Sequence, residues 1–132
     1  MATWDDVGRI ASALPESEAG TSHGSPAWKV RGRQFVWLRP LTGPDRAALG
    51  AGAPTGPIVG LATADVHEQR ALVHGEPDAF FVTPHFEGYA AVLLRLDAVS
   101  ADRLREAVLT SWSVRAPREL VARFLEDLER PS

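Results

Sequence analysis

At 132 residues, with 45% hydrophobic and 23% charged positions, the chain has the length and composition of one globular domain that buries a core without disulfide or metal staples. A formal net charge of −3 argues against a protein that grips nucleic acid by bulk phosphate neutralisation and leaves only a local basic patch for that purpose. Cysteine is absent, which excludes disulfides, thiolate catalysis and cysteine zinc sites and makes the cytoplasm the expected location.

The first residues, Met1 to Asp6, lack the basic patch and apolar core of a signal peptide. No apolar run approaches the roughly 20 residues that span a bilayer, so no membrane association is expected. Thr3, with Asp6 three residues on, forms a capping-box pattern ahead of Trp4, Val7, Ile10, Ala11 and Leu14 at helical spacing. Pro15 and a polar stretch to Gly24 end that helix. Ala27 to Val30 and Arg33 to Arg39 read as strands joined by a two-residue turn, Arg31-Gly32. Residues 40–57 hold four prolines and four glycines around a short Asp45 to Leu49 segment, a long loop either mobile or covering a site. Ile58 to Ala62 is a short strand, followed by a helix capped at Asp65 and stopped at Gly75. Phe80 to Thr83 and Ala90 to Leu96 are strands, with Pro84 between them. Ser100 caps a helix with Leu104, Val108 and Trp112 on one face. Pro117 opens a last helix striped by Leu120, Val121, Phe124, Leu125 and Leu128. The order α-β-β-β-α-β-β-α-α predicts one α+β domain over residues 1–132, an antiparallel sheet of about five strands with helices on one face.

Catalytic and cofactor motifs are missing. There is no serine-nucleophile or zinc-protease pattern, and Gly50-Ala51-Gly52 precedes coil rather than a phosphate-holding helix, so no cofactor is expected. His67 and His74 are seven apart on one predicted helix, about 10 Å between rings and too far for one metal, so no metal site is expected. His23 and His85 stand in loops, and His85, Glu87 and Tyr89 together offer a donor, an acceptor and a stacking surface. Of the 14 basic residues only Lys29 is lysine; the arginines suit bidentate contact with phosphate or carboxylate. Strict alternation from the Arg31-Gly32 turn pairs Trp28 with Phe35. It places Trp28, Val30, Arg33, Phe35, Trp37 and Arg39 on one face and Lys29, Arg31, Gln34, Val36 and Leu38 on the other. The first face serves either as a core wall or as aromatic rings flanked by arginines for stacking.

Four stretches resemble the MmcQ/YjbR-like family. They are Leu14-Pro15-Glu16 with His23-Gly24-Ser25-Pro26-Ala27-Trp28-Lys29-Val30; Gly32-Arg33-Gln34-Phe35-Val36; Pro77 to Tyr89, containing Phe80-Phe81-Val82-Thr83-Pro84-His85, running on to Asp97; and Leu109 to Val121. The resemblance implies an antiparallel sheet with packed helices and a DNA-binding role in which strand hairpins act as wings. It implies no established enzyme activity and no set of catalytic residues. The 40–57 connection is longer here than the family pattern.

The expectation is therefore a binding module rather than an enzyme, with DNA as candidate partner. Lys29, Arg31 and Arg33 would meet phosphates, supported by Arg39 and Arg115. The alternatives are a small-molecule or peptide cleft near Trp28, His85, Tyr89 and Trp112, and an interaction domain using a sheet edge or the last helix, as a monomer or weak dimer.

Overall fold

The computed structural model describes residues 2–130. Six strands, β1 (Ser17–Ser22), β2 (Ser25–Val30), β3 (Arg33–Leu38), β4 (Ile58–Ala62), β5 (Phe80–Phe81) and β6 (Ala91–Arg95), form one antiparallel sheet in the order β1-β2-β3-β4-β6-β5. The helices are α1 (Trp4–Ser12), α2 (Gly43–Leu49), α3 (Val66–Gly75), α4 (Ala101–Arg115) and α5 (Arg118–Glu129). The predicted α+β class stands, with a sixth strand and the short α2 added. Among the described residues no helix is long and apolar enough to cross a membrane.

The caps are local chemistry made visible. The Thr3 hydroxyl accepts from the Asp6 N–H at 3.2 Å while Asp6 Oδ2 accepts from the Thr3 N–H at 2.9 Å. Asp65 accepts from the Glu68 N–H at 2.8 Å, and Ser100 from the Arg103 N–H at 3.1 Å.

Strand β1 lies in the stretch expected to be coil. Its residues, Ser17 to Ser22, have no alternating apolar pattern because it is an edge strand held to β2 by backbone pairing. His23 and Gly24, at φ 49° and 81°, turn β1 into β2, and Arg31 and Gly32, at φ 48° and 81°, turn β2 into β3. Positive φ at both central residues is the two-residue turn whose twist matches that of paired strands. The meander is thus folded twice by the same device.

The second hairpin is not regular. Val30 opposes Arg33 and Lys29 opposes Gln34, but Trp28 opposes Val36 rather than the expected Phe35. Phe35 is an extra residue, a β-bulge, and beyond it the alternation of β3 reverses. Phe35 and Val36 both enter the helix-side core, whereas Trp37 enters a second apolar cluster on the far face. The expected single face of Trp28, Phe35, Trp37 and Arg39 is therefore divided between the two sides of the sheet.

The helix-side core joins Val7, Ala11, Val30, Phe35, Val36, Val59, Leu61, Val92, Leu94, Leu104, Val108 and Trp112, all nearly or fully buried. The far cluster, Ala27, Trp37, Ile58, Phe81, Phe86, Ala91 and Leu93, is covered in part by Leu41 and Leu49 from the 40–57 segment. That segment is not an open loop. Thr42 and Asp45 build a second capping box, which starts α2. The Trp37 indole lies directly over Gly60, where any side chain would collide with it. Gly60→Ala should destabilise the fold by about 1–3 kcal/mol through overpacking. Urea unfolding followed by tryptophan fluorescence checks this, and adding Trp37→Leu should recover part of the loss.

Candidate functional site

The turn between β2 and β3 brings three arginines to one end of the sheet. Arg31, in the turn itself, donates from Nε to Glu16 Oε1 at 2.8 Å and from Nη2 to Oε2 at 3.0 Å. This bidentate bond holds the Glu16 carboxyl below its usual range and keeps the Arg31 guanidinium engaged. Arg33 points to the helix side, and its Nη1 donates to the backbone carbonyl of Arg115 at 3.5 Å. Arg115 is the last residue of α4, where the unpaired carbonyls of a helix end attract cations. Its own side chain is half-buried. Burial, and then the neighbouring Arg33 charge, push the Arg115 pKa down. Among the described residues, neither Arg33 nor Arg115 has a carboxylate in ion-pair contact. The fold thus brings the Arg33 side chain to the C-terminal end of α4, beside Arg115.

The remaining proposed basic residues lie elsewhere. Lys29 is half-buried, with its aliphatic arm against Gly20 on the far side of the sheet. Arg39 also falls on the far side, because the bulge reverses β3. Its guanidinium stacks 5.2 Å from the Phe86 ring centre and pairs with Asp45 at 3.1 Å. Lys29, Arg31, Arg33, Arg39 and Arg115 are thus not one surface; Arg33 and Arg115 are brought together, Arg31 borders them, and Lys29 and Arg39 do not join.

The cleft expected near Trp28, His85, Tyr89 and Trp112 is not formed. Trp112 is fully buried, donates from Nε1 to the Pro15 carbonyl at 3.1 Å and meets Phe124 edge-on at 5.2 Å. Trp28 is half-buried beside Gly8 of α1. His85 and Tyr89 sit on the 83–91 connection, stacked with ring centres 6.0 Å apart, and Tyr89 is 60% exposed. Large aromatic rings of the helix face were drawn into the core, and only the loop pair stayed outside.

That connection is held by a residue that composition gave no reason to single out. Gln69, buried on α3, directs Nε2 at the carbonyls of Phe86, Tyr89 and Ala91 at 2.9, 2.9 and 2.7 Å. His67 and His74, on the same helix, are exposed. The Arg33–Arg115 pair was equally hidden in sequence, since 82 residues separate its members. Its one local signal was that Arg115 closes a well-capped helix.

The Arg39–Asp45 pair makes a test of how the far face is held. Burial opposes ionisation of Asp45, but the Thr42 backbone N–H and hydroxyl, together with Arg39, outweigh it and keep the carboxyl below its ordinary value of 3.8. A depressed folded value means that this carboxylate's contribution is complete above 3.8 and is lost as pH falls through the lower folded value. Asp45→Ala should cost about 2 kcal/mol at neutral pH, from the lost cap and the half-buried Arg39 left without its acid. Denaturant unfolding at neutral and acid pH should show the gap between variant and wild type narrowing on acidification.

Known proteins share this architecture. A protein of Deinococcus radiodurans, DR2400, carrying the family domain DUF419, has the same fold at a TM-score of 0.62 and 19% identity, over 85% of this chain and 77% of that one. The uncharacterised proteins Rv2570 of Mycobacterium tuberculosis and Mb2600 of Mycobacterium bovis are each 42% identical over 128 residues, covering 95% of this chain and 97% of theirs. The YjbR family model matches residues 12–114, a span running from the end of α1 through the meander, the Gln69-anchored connection and nearly all of α4. The chain belongs to the YjbR family.

Proposed function

We propose that this YjbR protein is a non-enzymatic binding module of the cytoplasm whose partner is DNA, met through phosphate contacts at Arg33 and Arg115. The observation that carries this reading is that Arg33, beside the β2–β3 turn, reaches the carbonyl of Arg115 at the end of α4, and that among the described residues neither arginine is in ion-pair contact with a carboxylate. A phosphate between them would relieve their mutual repulsion and accept two charge-assisted hydrogen bonds. Arg31 stands beside them in the turn, and its bond to Glu16 is exposed enough to be exchanged for a phosphate oxygen. The turn would act as a small wing along the backbone, positioning the domain without reading bases.

The same geometry limits the interaction. Lys29 and Arg39 lie across the sheet, and the chain as a whole is acidic, so few phosphates are engaged at once. For about two phosphates, log K should fall with log salt at a slope near −2. Fluorescence anisotropy with a short duplex measures this. Arg33→Ala and Arg115→Ala should each weaken binding and flatten the salt dependence, the double variant by about one unit of slope, while Lys29→Ala leaves it unchanged. No binding at low salt, or binding lost with Lys29 but kept without Arg33, would overturn the proposal.

A further inference from the structure

The sheet ends in two edges of unequal kind. β5 is two residues long, too short to template another strand, whereas β1 runs for six residues with no strand on its outer side. Edge strands are usually blunted by lysine, proline or a bulge. β1 has none of these: its pairing with β2 is regular, and Glu18 is its one charged residue.

The register of the first hairpin decides which backbone groups are free. The two-residue turn His23-Gly24 makes Ser22 and Ser25 the closing bonded pair, and bonded pairs alternate from there along β1. Glu18, Gly20 and Ser22 therefore turn their N–H and C=O groups toward β2, while Ser17, Ala19 and Thr21 turn theirs outward. The Ser17 N–H is taken by the Leu14 carbonyl at 3.3 Å; among the described residues the rest of that outward row has no backbone partner. The charges beside this row are also unmatched. Lys29 stands directly across from Glu18, yet among the described residues neither forms an ion pair. The Lys29 arm leans instead over Gly20, with Cε and Nζ 3.5 and 3.9 Å from where a Gly20 side chain would begin. Its amino group thus lies over β1 at the one position of the strand that has no side chain.

We propose that β1 pairs with β1 of a second copy, antiparallel, about a two-fold axis through Ala19. Ala19 and the partner's Ala19 then exchange both backbone bonds, and each Thr21 N–H reaches the partner's Ser17 carbonyl. Glu18 stands across from the partner's Gly20, where the partner's Lys29 amino group lies, so the ion pair missing within each chain forms between the chains, once in each direction. The neighbouring registers are disfavoured. A slip of one residue sets outward backbone groups against inward ones. An axis at Glu18 opposes two carboxylates, and an axis at Gly20 brings two lysines over one spot. Pairing covers the long edge of both copies, so association closes at the dimer. Few groups take part, and the dimer dissociates on dilution. Self-association is independent of the DNA reading, because its test measures mass without nucleic acid and uses neither Arg33 nor Arg115.

Sedimentation equilibrium over a concentration series should show monomer passing to dimer and no larger species. Ala19→Pro, which removes an N–H that β2 does not use, should stay monomeric with an unchanged circular dichroism spectrum. Glu18→Lys and Lys29→Glu should each weaken self-association about tenfold or more. Mixing these two single variants should restore a heterodimer, since the lysine pair of one chain then faces the glutamate pair of the other. No contact inside one chain could produce that rescue. A wild-type chain that stays monomeric at the highest attainable concentration overturns the proposal. So does a dimer that survives Ala19→Pro, or a mixture of the charge variants that associates no better than either alone.

Discussion

The extra residue in β3 determines how the N-terminal half of the molecule is used. In a regular hairpin, Phe35 and Trp37 would share a face and Val36 would point away from them. With the bulge at Phe35, Phe35 and Val36 both pack under the helices, and Trp37 passes to the far side to lie over Gly60. Three consecutive bulky side chains are buried in this way without leaving one in solvent. The same reversal separates Arg33 from Arg39. Arg33 remains with α4 and reaches its last carbonyl, while Arg39 joins Phe86 and Asp45 and helps hold α2 over the far cluster.

That sorting gives most arginines of the sheet an internal partner. Phe80 and Phe81, successive residues of β5, enter opposite clusters, and each is covered by an arginine, Arg103 over Phe80 and Arg95 over Phe81, at 5.2 Å. Arg103 also forms a bidentate bond with Glu76, which holds that carboxyl below its usual range and ties α4 to the end of α3. Arg31 is engaged by Glu16. Arg33 and Arg115 are brought side by side by the packing of β3 against the end of α4 and, among the described residues, have no carboxylate in ion-pair contact.

Much of the fold was legible in the residues. The capping pairs Thr3–Asp6, Asp65–Glu68 and Ser100–Arg103, the Arg31-Gly32 turn and the stripe of α4 were fixed by spacing alone. Strand β1 was not, because Ser17 to Ser22 is polar on both faces and is ordered by its neighbour. Its one local mark was His23-Gly24, the same kind of dipeptide as Arg31-Gly32. The bulge left no sequence signal, since Gln34-Phe35-Val36-Trp37 suits either register, and packing on both faces chooses between them. The candidate site was legible only in part. The importance of Arg33 came from its place beside a turn, but its partner comes from the far end of α4, and no local pattern predicts a contact of that sequence separation. Trp28 and Trp112 misled for the opposite reason: aromatic rings that look like binding surface in a list of residues are the material from which cores are built.

A DNA partner bound as proposed would touch this fold at Arg33 and Arg115. Amide and arginine side-chain NMR spectra recorded while a short DNA duplex is titrated into the protein at low salt address this residue by residue. The predicted result is a set of shifts confined to residues 31–34 and to the α4–α5 junction around Arg115, with the Arg33 and Arg115 side-chain signals moving most and Lys29 and Arg39 unmoved. Shifts centred on Lys29 and Arg39, or on the His85–Tyr89 pair, would place the partner on the far face and contradict it.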